Sequence, residues 1–388
     1  MKTLPEYRGG IILSNFSLGS FLRNEDLKSL SGEFFINGRG FRSPDIFSDI
    51  NGEISLLEFR DYNYRNIFFD GILHTNYFKG KSKIRDPNLQ VDFSGEIDFS
   101  KHLPKINFTA DILEADLLKL NILLRDSIAK LSGLIEMNFE GNNWSNFYGT
   151  VGAYYMNLQT HKKAYHFDKI LFNSQISGRE KHLSFVSDFM NINLEGQVDI
   201  PNLFNSVESY LSPHFPIFNE CDGSDQDFNF NIKLFNSSIV KEFMSFGLDF
   251  GDESYISGNF NNIGVDALEI NLESPSLRWN EWFLTNIKLN SLANSQSWDL
   301  NYQGSNVFYG DKLLTENIEY DQVGSFGDLQ NIFSWYSADS LKSSGVIKTH
   351  TSINNGQLDL QFEPSYFYFS DSFSSKLFSF RRPSSPNQ

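Results

Sequence analysis

The chain has 388 residues, with 32 Lys and Arg against 48 Asp and Glu for a formal net charge of -16, and it carries 39 Phe and 16 Tyr. So acidic a surface repels a nucleic-acid backbone and discourages adsorption to anionic headgroups, and no basic stripe offsets it, which excludes a nucleic-acid reader. Abundant aromatic residues suit pleated sheet better than helix, abundant Asn, Ser and Gly suit short turns, and the single cysteine, Cys221, excludes an intrachain disulfide while leaving a periplasmic location open.

At the start of the chain the apolar piece Ile11 to Leu13 is too short for a signal peptide, and nowhere do 18 apolar residues run together. The abrupt beginning and the polar end, Arg381 to Gln388, lead to the expectation of a fragment of a longer protein or of one segment of a split reading frame. Strands opening on Ser-Gly occur at Ser31-Gly32, Ser94-Gly95, Ser132-Gly133 and Ser257-Gly258, with a related Asn51-Gly52; their period is not fixed, so they mark a recurring strand design and not a countable solenoid.

The clearest strand runs from Leu89 to Phe99. One side reads Leu89, Val91, Phe93, Gly95, Ile97 and Phe99, the other Gln90, Asp92, Ser94, Glu96 and Asp98. The same period of two recurs in Ile106, Phe108, Ala110 and Ile112, in Phe228, Phe230, Ile232 and Leu234, and more weakly over Leu131 to Phe139, Ile192 to Ile200, Leu268 to Leu272 and Phe283 to Leu289. Asn51-Gly52, Asp70-Gly71, Asp86-Pro87, Glu140-Gly141, Asp222-Gly223 and Asn355-Gly356 read as turns between strands.

Two interruptions read as helical. Ala115 to Leu120 allows one or two turns or, between strand-like neighbours, only a bend, and Phe204 to Leu211 sets Leu203, Val207, Tyr210 and Leu211 on one side before Pro213 ends it. The polar loop Asn219 to Gln226 comes next. The expected division is therefore a sheet segment over 1–200, a short helix and polar loop over 201–226, and a continuing sheet segment with a polar tail over 227–388.

A search for chemistry finds none that stands out. The seven histidines make no His-Glu-x-x-His, and His161 and His166, five apart, fall on opposite faces if they share a strand. Gly38-Arg39-Gly40 lacks the third glycine and following helix of a dinucleotide fingerprint. Asp222, Asp225 and Asp227 run into a strand instead of completing a calcium loop, and Cys221 has no nearby histidine. No catalytic residue, metal ligand or cofactor is expected. The aromatic clusters Trp144 to Tyr148, Trp279 to Phe283, Trp335-Tyr336 and Tyr366 to Phe369 fit either core filling or contact with acyl chains or a membrane interface.

A sheet with one apolar face must bury it in a sandwich, in a closed barrel, or in a curled open groove with apolar contents, and periodicity does not choose among these. Crossover helices are missing, so the fold expected is all-β and antiparallel, each strand pairing with the next.

The run Leu30-Ser-Gly-Glu-Phe-Phe-Ile-Asn-Gly-Arg-Gly-Phe41, followed by Ile50-Asn-Gly-Glu-Ile-Ser-Leu-Leu-Glu-Phe59, Tyr62-Asn-Tyr-Arg-Asn-Ile-Phe-Phe-Asp-Gly-Ile-Leu73 and Asp86-Pro-Asn-Leu-Gln-Val-Asp-Phe-Ser-Gly-Glu-Ile-Asp-Phe99, resembles the TamB family of translocation and assembly proteins, of the AsmA-like superfamily, in its Bacteroidetes form. The resemblance covers residues 28 to 120 most strongly, extends to about 300 and fades beyond. It implies a long curled β-groove, taco-like, with an apolar interior, in an inner-membrane-anchored periplasmic protein that takes part in phospholipid transport and outer-membrane biogenesis. It also implies phospholipid acyl chains and an Omp85-type outer-membrane protein as partners, with membrane attachment through terminal parts absent from this chain. The residues expected to line the groove are Leu89, Val91, Phe93, Ile97, Ile106, Phe108, Ile112, Phe228, Phe230, Ile232 and Leu234. The alternative role is a scaffold for outer-membrane β-barrel insertion, using free strand edges.

Overall fold

The computed structural model describes residues 4–40, 46–122, 130–161, 163–212, 222–244, 247–263, 267–325, 327–337, 343–354 and 357–369. The chain is nearly all β, its paired strands are antiparallel, and it divides into two compact units, Met1–Phe204 with Ser224–Asn236 and Asn205–Gly223 with Ser237–Gln388.

The first unit contains β1 (Glu6–Ser17), β2 (Leu27–Arg39), β3 (Phe47–Phe59), β4 (Tyr62–Tyr64), β5 (Ile67–His74), β6 (Tyr77–Asp86), β7 (Leu89–Asp98), β8 (Lys105–Asp116), β9 (Lys130–Glu140), β10 (Tyr148–Gln159), β11 (Ala164–Ser177), β12 (Glu180–Ser187), β13 (Met190–Gln197) and β14 (Asp227–Leu234). Each pairs with the next, except that β4 and β5 both pair with β3; Asn66, held at φ 51° between them, breaks what would otherwise be one strand. Among the described residues β1 pairs with β2 alone, so the sheet of this unit is open, not closed into a barrel. β14, assigned from the sequence to the later sheet segment over 227–388, instead pairs along its whole length with β13.

The second unit contains β15 (Asp249–Phe250), β16 (Ser254–Asn261), β17 (Ala267–Trp279), β18 (Trp282–Ala293), β19 (Trp298–Tyr309), β20 (Lys312–Ser325), β21 (Asp328–Ser337), β22 (Ser343–Asn354), β23 (Gln357–Phe362) and β24 (Tyr366–Phe369). Its strands also run in order from β16 to β22, with β15 on β17 and with β23 and β24 sharing β22.

Of the two interruptions read as helical, one forms a helix and the other the bend that is its alternative. A helix spans Leu203–Leu211, and Tyr210, on its predicted apolar side, meets Phe260 edge-on at 5.4 Å and donates from its hydroxyl to the carbonyl of Ala293 at 3.1 Å. Ala115 to Leu120 is not helical. β8 continues to Asp116, and the turn after it carries Leu117 and Leu120 onto a buried cluster with Tyr64, Ile67 and Ala115. Two further helices, Leu18–Leu22 and Ser237–Met244, are short and interrupt segments that the sequence does not mark as helical.

Two of the predicted turns are strand interiors instead. Asn51-Gly52 lies within β3 and Asp70-Gly71 within β5. These glycines serve close approach: a Cβ on Gly52 would stand 3.0 Å from the ring of Phe34, and one on Gly71 3.1 Å from the ring of Phe78. Asp86-Pro87 does make the β6–β7 turn, where the buried Asp86 carboxylate accepts from the backbone N–H groups of Arg65 at 3.0 Å and Asn88 at 2.8 Å and from the Tyr62 hydroxyl. Burial, with that carboxylate bond, holds the Tyr62 phenol above its ordinary value. Cys221, Pro213, the Asn355-Gly356 pair and the tail Arg381 to Gln388 lie outside the described residues.

Candidate hydrophobic binding face

Strand register decides whether separate apolar faces join. In β8 to β14, Phe108 stands opposite Met137, Met137 opposite Val151, Val151 opposite Phe172, Phe172 opposite Phe185, Phe185 opposite Ile192, and Ile192 opposite Ile232. Seven adjacent strands thus place an apolar side chain in one transverse row. One position along, on the opposite face, the row reads Asn107, Asn138, Thr150, Asn173, Ser184, Asn193 and Asn231 in the same seven strands, uncharged and polar throughout. The contrast is set by alternation alone, since each strand contributes neighbouring residues to the two rows.

This row joins the two groups of predicted lining residues. Phe108 belongs to the first group and Ile232 to the second. Around them Ile97 stands opposite Ile106, which stands opposite Phe139; Val91 stands opposite Ile112; Phe228, Phe230 and Leu234 stand opposite Gly196, Leu194 and Met190. Phe93 and Phe108 touch, with ring centroids 5.1 Å apart. Leu89 and Ile112 pack against the buried cluster of Leu117 and Leu120 at the end of the strands. Of the eleven, Phe228 and Leu234 are buried and the other nine are half-buried, so most of this face keeps contact with solvent. Phe99, predicted to extend the face, falls in the loop after β7 and is exposed.

Glycine shapes the continuation through β5, β6 and β7. Gly71, Gly80 and Gly95 stand opposite one another in a row, and the ring of Phe78 lies over the first two, 3.1 Å from where a Cβ on either would be. The Ser-Gly pairs at 31–32, 94–95, 132–133 and 257–258, expected to open strands, instead lie inside β2, β7, β9 and β16, and Gly32 and Gly133 serve the same close approach. A Cβ on Gly32 would stand 2.9 Å from the ring of Phe34, and one on Gly133, at φ 143°, would stand 2.5 Å from the sulfur of Met156. A large side chain beside an inward glycine keeps the face level.

The outward face is charged near β6. Lys79 pairs with Glu96 at 3.4 Å, and Arg85 with Asp92. Asp98 accepts from the Ser100 hydroxyl and from the Ser100 backbone N–H at 2.8 Å, and these bonds, with Lys101 and Lys105 near, hold its carboxyl below the usual range. His166 bonds Asn157 at 2.8 Å and Asp168 at 3.1 Å, whereas His161 lies in the turn before β11, so the two do not share a strand. Asp222 and Asp225 lie in the loop before β14, and Asp227 is its first residue. Among the described residues no three His, Cys, Asp or Glu side chains are grouped to hold a metal ion, and no helix is long and apolar enough to cross a membrane.

The second unit differs in a way that the sequence hides. One of its transverse rows reads Ser291, Leu300, Gln322, Asn331 and Thr349 across β18 to β22. Here Trp298 donates from its indole to Ser291 at 2.6 Å, the Tyr320 hydroxyl donates to Asn331 Oδ1 at 2.8 Å, and Asn331 Nδ2 donates to Thr351 Oγ1 at 2.9 Å. The Tyr302 hydroxyl is buried with no partner among the described residues, and burial pushes its pKa up to about 12. Alternation also breaks. Asn286, at φ 51°, lets both Leu284 and Ile287 face the same way, with Leu284 in the cluster of Val307, Ile318 and Trp335, while Phe283 turns to the other face against Phe308, centroids 5.8 Å apart. The predicted single face over Phe283 to Leu289 is therefore two half-faces joined at Asn286.

No family model, no curated protein and no solved structure matches this chain.

Proposed function

We propose that the half-buried apolar face of the first unit holds acyl chains, and that the chain is a non-enzymatic, periplasmic hydrophobic-groove segment of TamB type, taking part in phospholipid transport between inner and outer membranes and in outer-membrane biogenesis. The observation that carries this reading is the row from Phe108 to Ile232, apolar in seven adjacent strands and half-buried at every position. A contiguous apolar surface of this kind marks a binding site on a protein. Acyl chains suit it, because each buried CH₂ contributes roughly 0.8 kcal/mol without needing a hydrogen-bond partner that the row cannot supply. An Omp85-type partner and an inner-membrane anchor belong to the same proposal through the resemblance of residues 28 to 120 to that family. The test is mass spectrometry of organic extracts from gently purified protein, with transfer of a fluorescent phospholipid between vesicles. Stoichiometric phospholipid and transfer above the protein-free rate are expected; lipid-free protein that transfers nothing overturns the reading.

A second reading, a scaffold for inserting outer-membrane β-barrels, is favoured by the free edge of β1. That twelve-residue strand has one partner among the described residues, and Ile11 and Ile12 are 43% and 75% exposed. An open edge of this length can accept an added strand. Crosslinks from β1 to a barrel substrate, with none from Phe108 or Phe172 to lipid, would favour it over the first.

A further inference from the structure

One cation stands on the apolar face of the first unit. The register sets Ile176 opposite Lys181, Lys181 opposite Gly196, and Gly196 opposite Phe228. Two residues along, on the same face, Ser174, Leu183, Leu194 and Phe230 stand opposite one another. Two further again come Phe172, Phe185, Ile192 and Ile232, part of the seven-strand row. Among the described residues of β8 to β14, Lys181 is the one charged side chain that the register carries onto this face.

Its charge is incompletely answered. The next residue, His182, lies on the opposite face and meets Glu195 at 3.1 Å, whereas Lys181 makes no ion pair among the described residues. Its ammonium makes one hydrogen bond, to the carbonyl of Val198 at 2.6 Å, which leaves two of its three N–H donors unused. Burial holds the Lys181 pKa below its ordinary value, against the attraction of Asp199, whose carboxylate already accepts from Asn202 at 2.9 Å.

Position narrows what completes such a group. Lys181 is the second residue of β12, at the margin of the face and about 13 Å along the strand from Phe185. Gly196 beside it carries no side chain, while Leu194, Phe185 and Ile192 beyond are half-buried. An anionic head placed at the ammonium would therefore have a hydrocarbon path leading away from it. A partner of opposite charge joined to an apolar chain fits both parts.

We infer that Lys181 is the headgroup subsite of the acyl-chain face, its ammonium bonding the phosphodiester of a phospholipid whose chains lie over Leu194, Phe185 and Ile192. The inference rests on the acyl-chain reading of that face and adds to it a preference among amphiphiles. A zwitterionic headgroup suits the site best, because it brings a phosphate without the net negative charge that a chain of net charge -16 repels.

Binding of monomeric pyrene-labelled lipids to the full chain tests this. Phosphatidylcholine is expected to bind about tenfold more tightly than diacylglycerol with the same chains, the usual worth of a hydrogen bond to a charged group. Lys181→Met, which keeps a stem of similar length, is expected to remove that preference and to leave diacylglycerol binding as it was. Lys181→Arg is expected to keep the preference, and Lys169→Met, which removes an exposed cation of the neighbouring strand, to alter neither lipid. In the unaltered chain, bound phosphatidylcholine but not bound diacylglycerol is expected to protect Lys181 from acetic anhydride, a readout independent of how any variant folds. Should Lys181→Met lose both lipids together, that protection decides. Equal binding of the two lipids, absence of protection, a preference that survives in Lys181→Met, or a pyrene fatty acid that binds more tightly than the phospholipid each overturns the inference and leaves the acyl-chain face standing. An unaltered chain that binds neither lipid overturns the acyl-chain reading itself, and this inference with it.

Discussion

The ring of Phe78 lies across Gly80 on its own strand and Gly71 on the next, 3.1 Å from where a Cβ would stand on either. The same Cβ on Gly80 would stand 2.7 Å from the Gly71 backbone, so the ring cannot relieve the clash by moving alone. Gly80→Ala is expected to lose about 1–3 kcal/mol, the usual cost of overpacking. Gly9→Ala, where nothing lies within 4 Å, is expected to be neutral or to gain up to about 1 kcal/mol from a stiffer unfolded chain. Urea unfolding of both variants checks the pair, and equal costs would contradict the assigned contact.

Phe172 and Asn173 are neighbours on β11 that contribute to opposite rows. Phe172→Asp is expected to abolish acyl-probe uptake and to destabilise, because it sets an unpaired charge into the apolar row. Asn173→Asp is expected to keep uptake and to change stability by less than about 1 kcal/mol, since the position is polar already. Fluorescent fatty-acyl binding with parallel melts measures both, and similar losses of uptake would reject the face assignment.

Leu120, fully buried, holds the β8–β9 turn on its cluster. Leu120→Ala is expected to cost about 2–5 kcal/mol, while Leu118→Ala, at a position 41% exposed, should stay within about 0.5 kcal/mol. Chemical denaturation distinguishes the two, and a tolerated Leu120→Ala would remove the turn from the core.

Tyr302 hides a hydroxyl with no partner among the described residues, so Tyr302→Phe is expected to leave stability unchanged or to raise it, by up to about 1–3 kcal/mol. The pH dependence derives from its raised pKa. Between the free phenol value of 10.0 and about 12 the unfolded chain releases the proton while the folded chain keeps it, so stability falls as pH rises through that window. Unfolding curves at successive pH values through that window should show a shallower decline in the Phe variant, and parallel declines would mean that Tyr302 is not the responsible group.

Much of the first unit was legible because period-two alternation needs only one strand at a time. Val91, Phe93, Phe108 and Ile112 could be assigned to one face before any partner was known. Register could not: nothing local says that Phe172 faces Phe185, which is what turns separate strands into a row. Glycine misled at Asn51-Gly52 and Asp70-Gly71 because a turn glycine and a glycine beneath a ring look alike in sequence, and the ring lies on another residue. The second unit was less legible for a different reason. Asn286 and Asn317, held at φ 51° and 47° inside strands, reverse the alternation beyond them, and an asparagine in a left-handed conformation carries no mark that separates it from an ordinary polar strand residue. The row of Ser291, Gln322 and Asn331 was missed because polar residues at even spacing read as the wet face.

The pairing of each strand with its sequence neighbour from β5 to β14 bears on how the chain reaches this structure. Closing a hairpin costs less entropy than joining distant strands, and here each finished hairpin presents the edge on which its successor is templated. β14 is the exception, since the helix and loop after β13 must be spanned before it can dock. Assembly can therefore run outward from any early hairpin as translation proceeds, with the docking of β14 left as the step that waits for chain beyond residue 226.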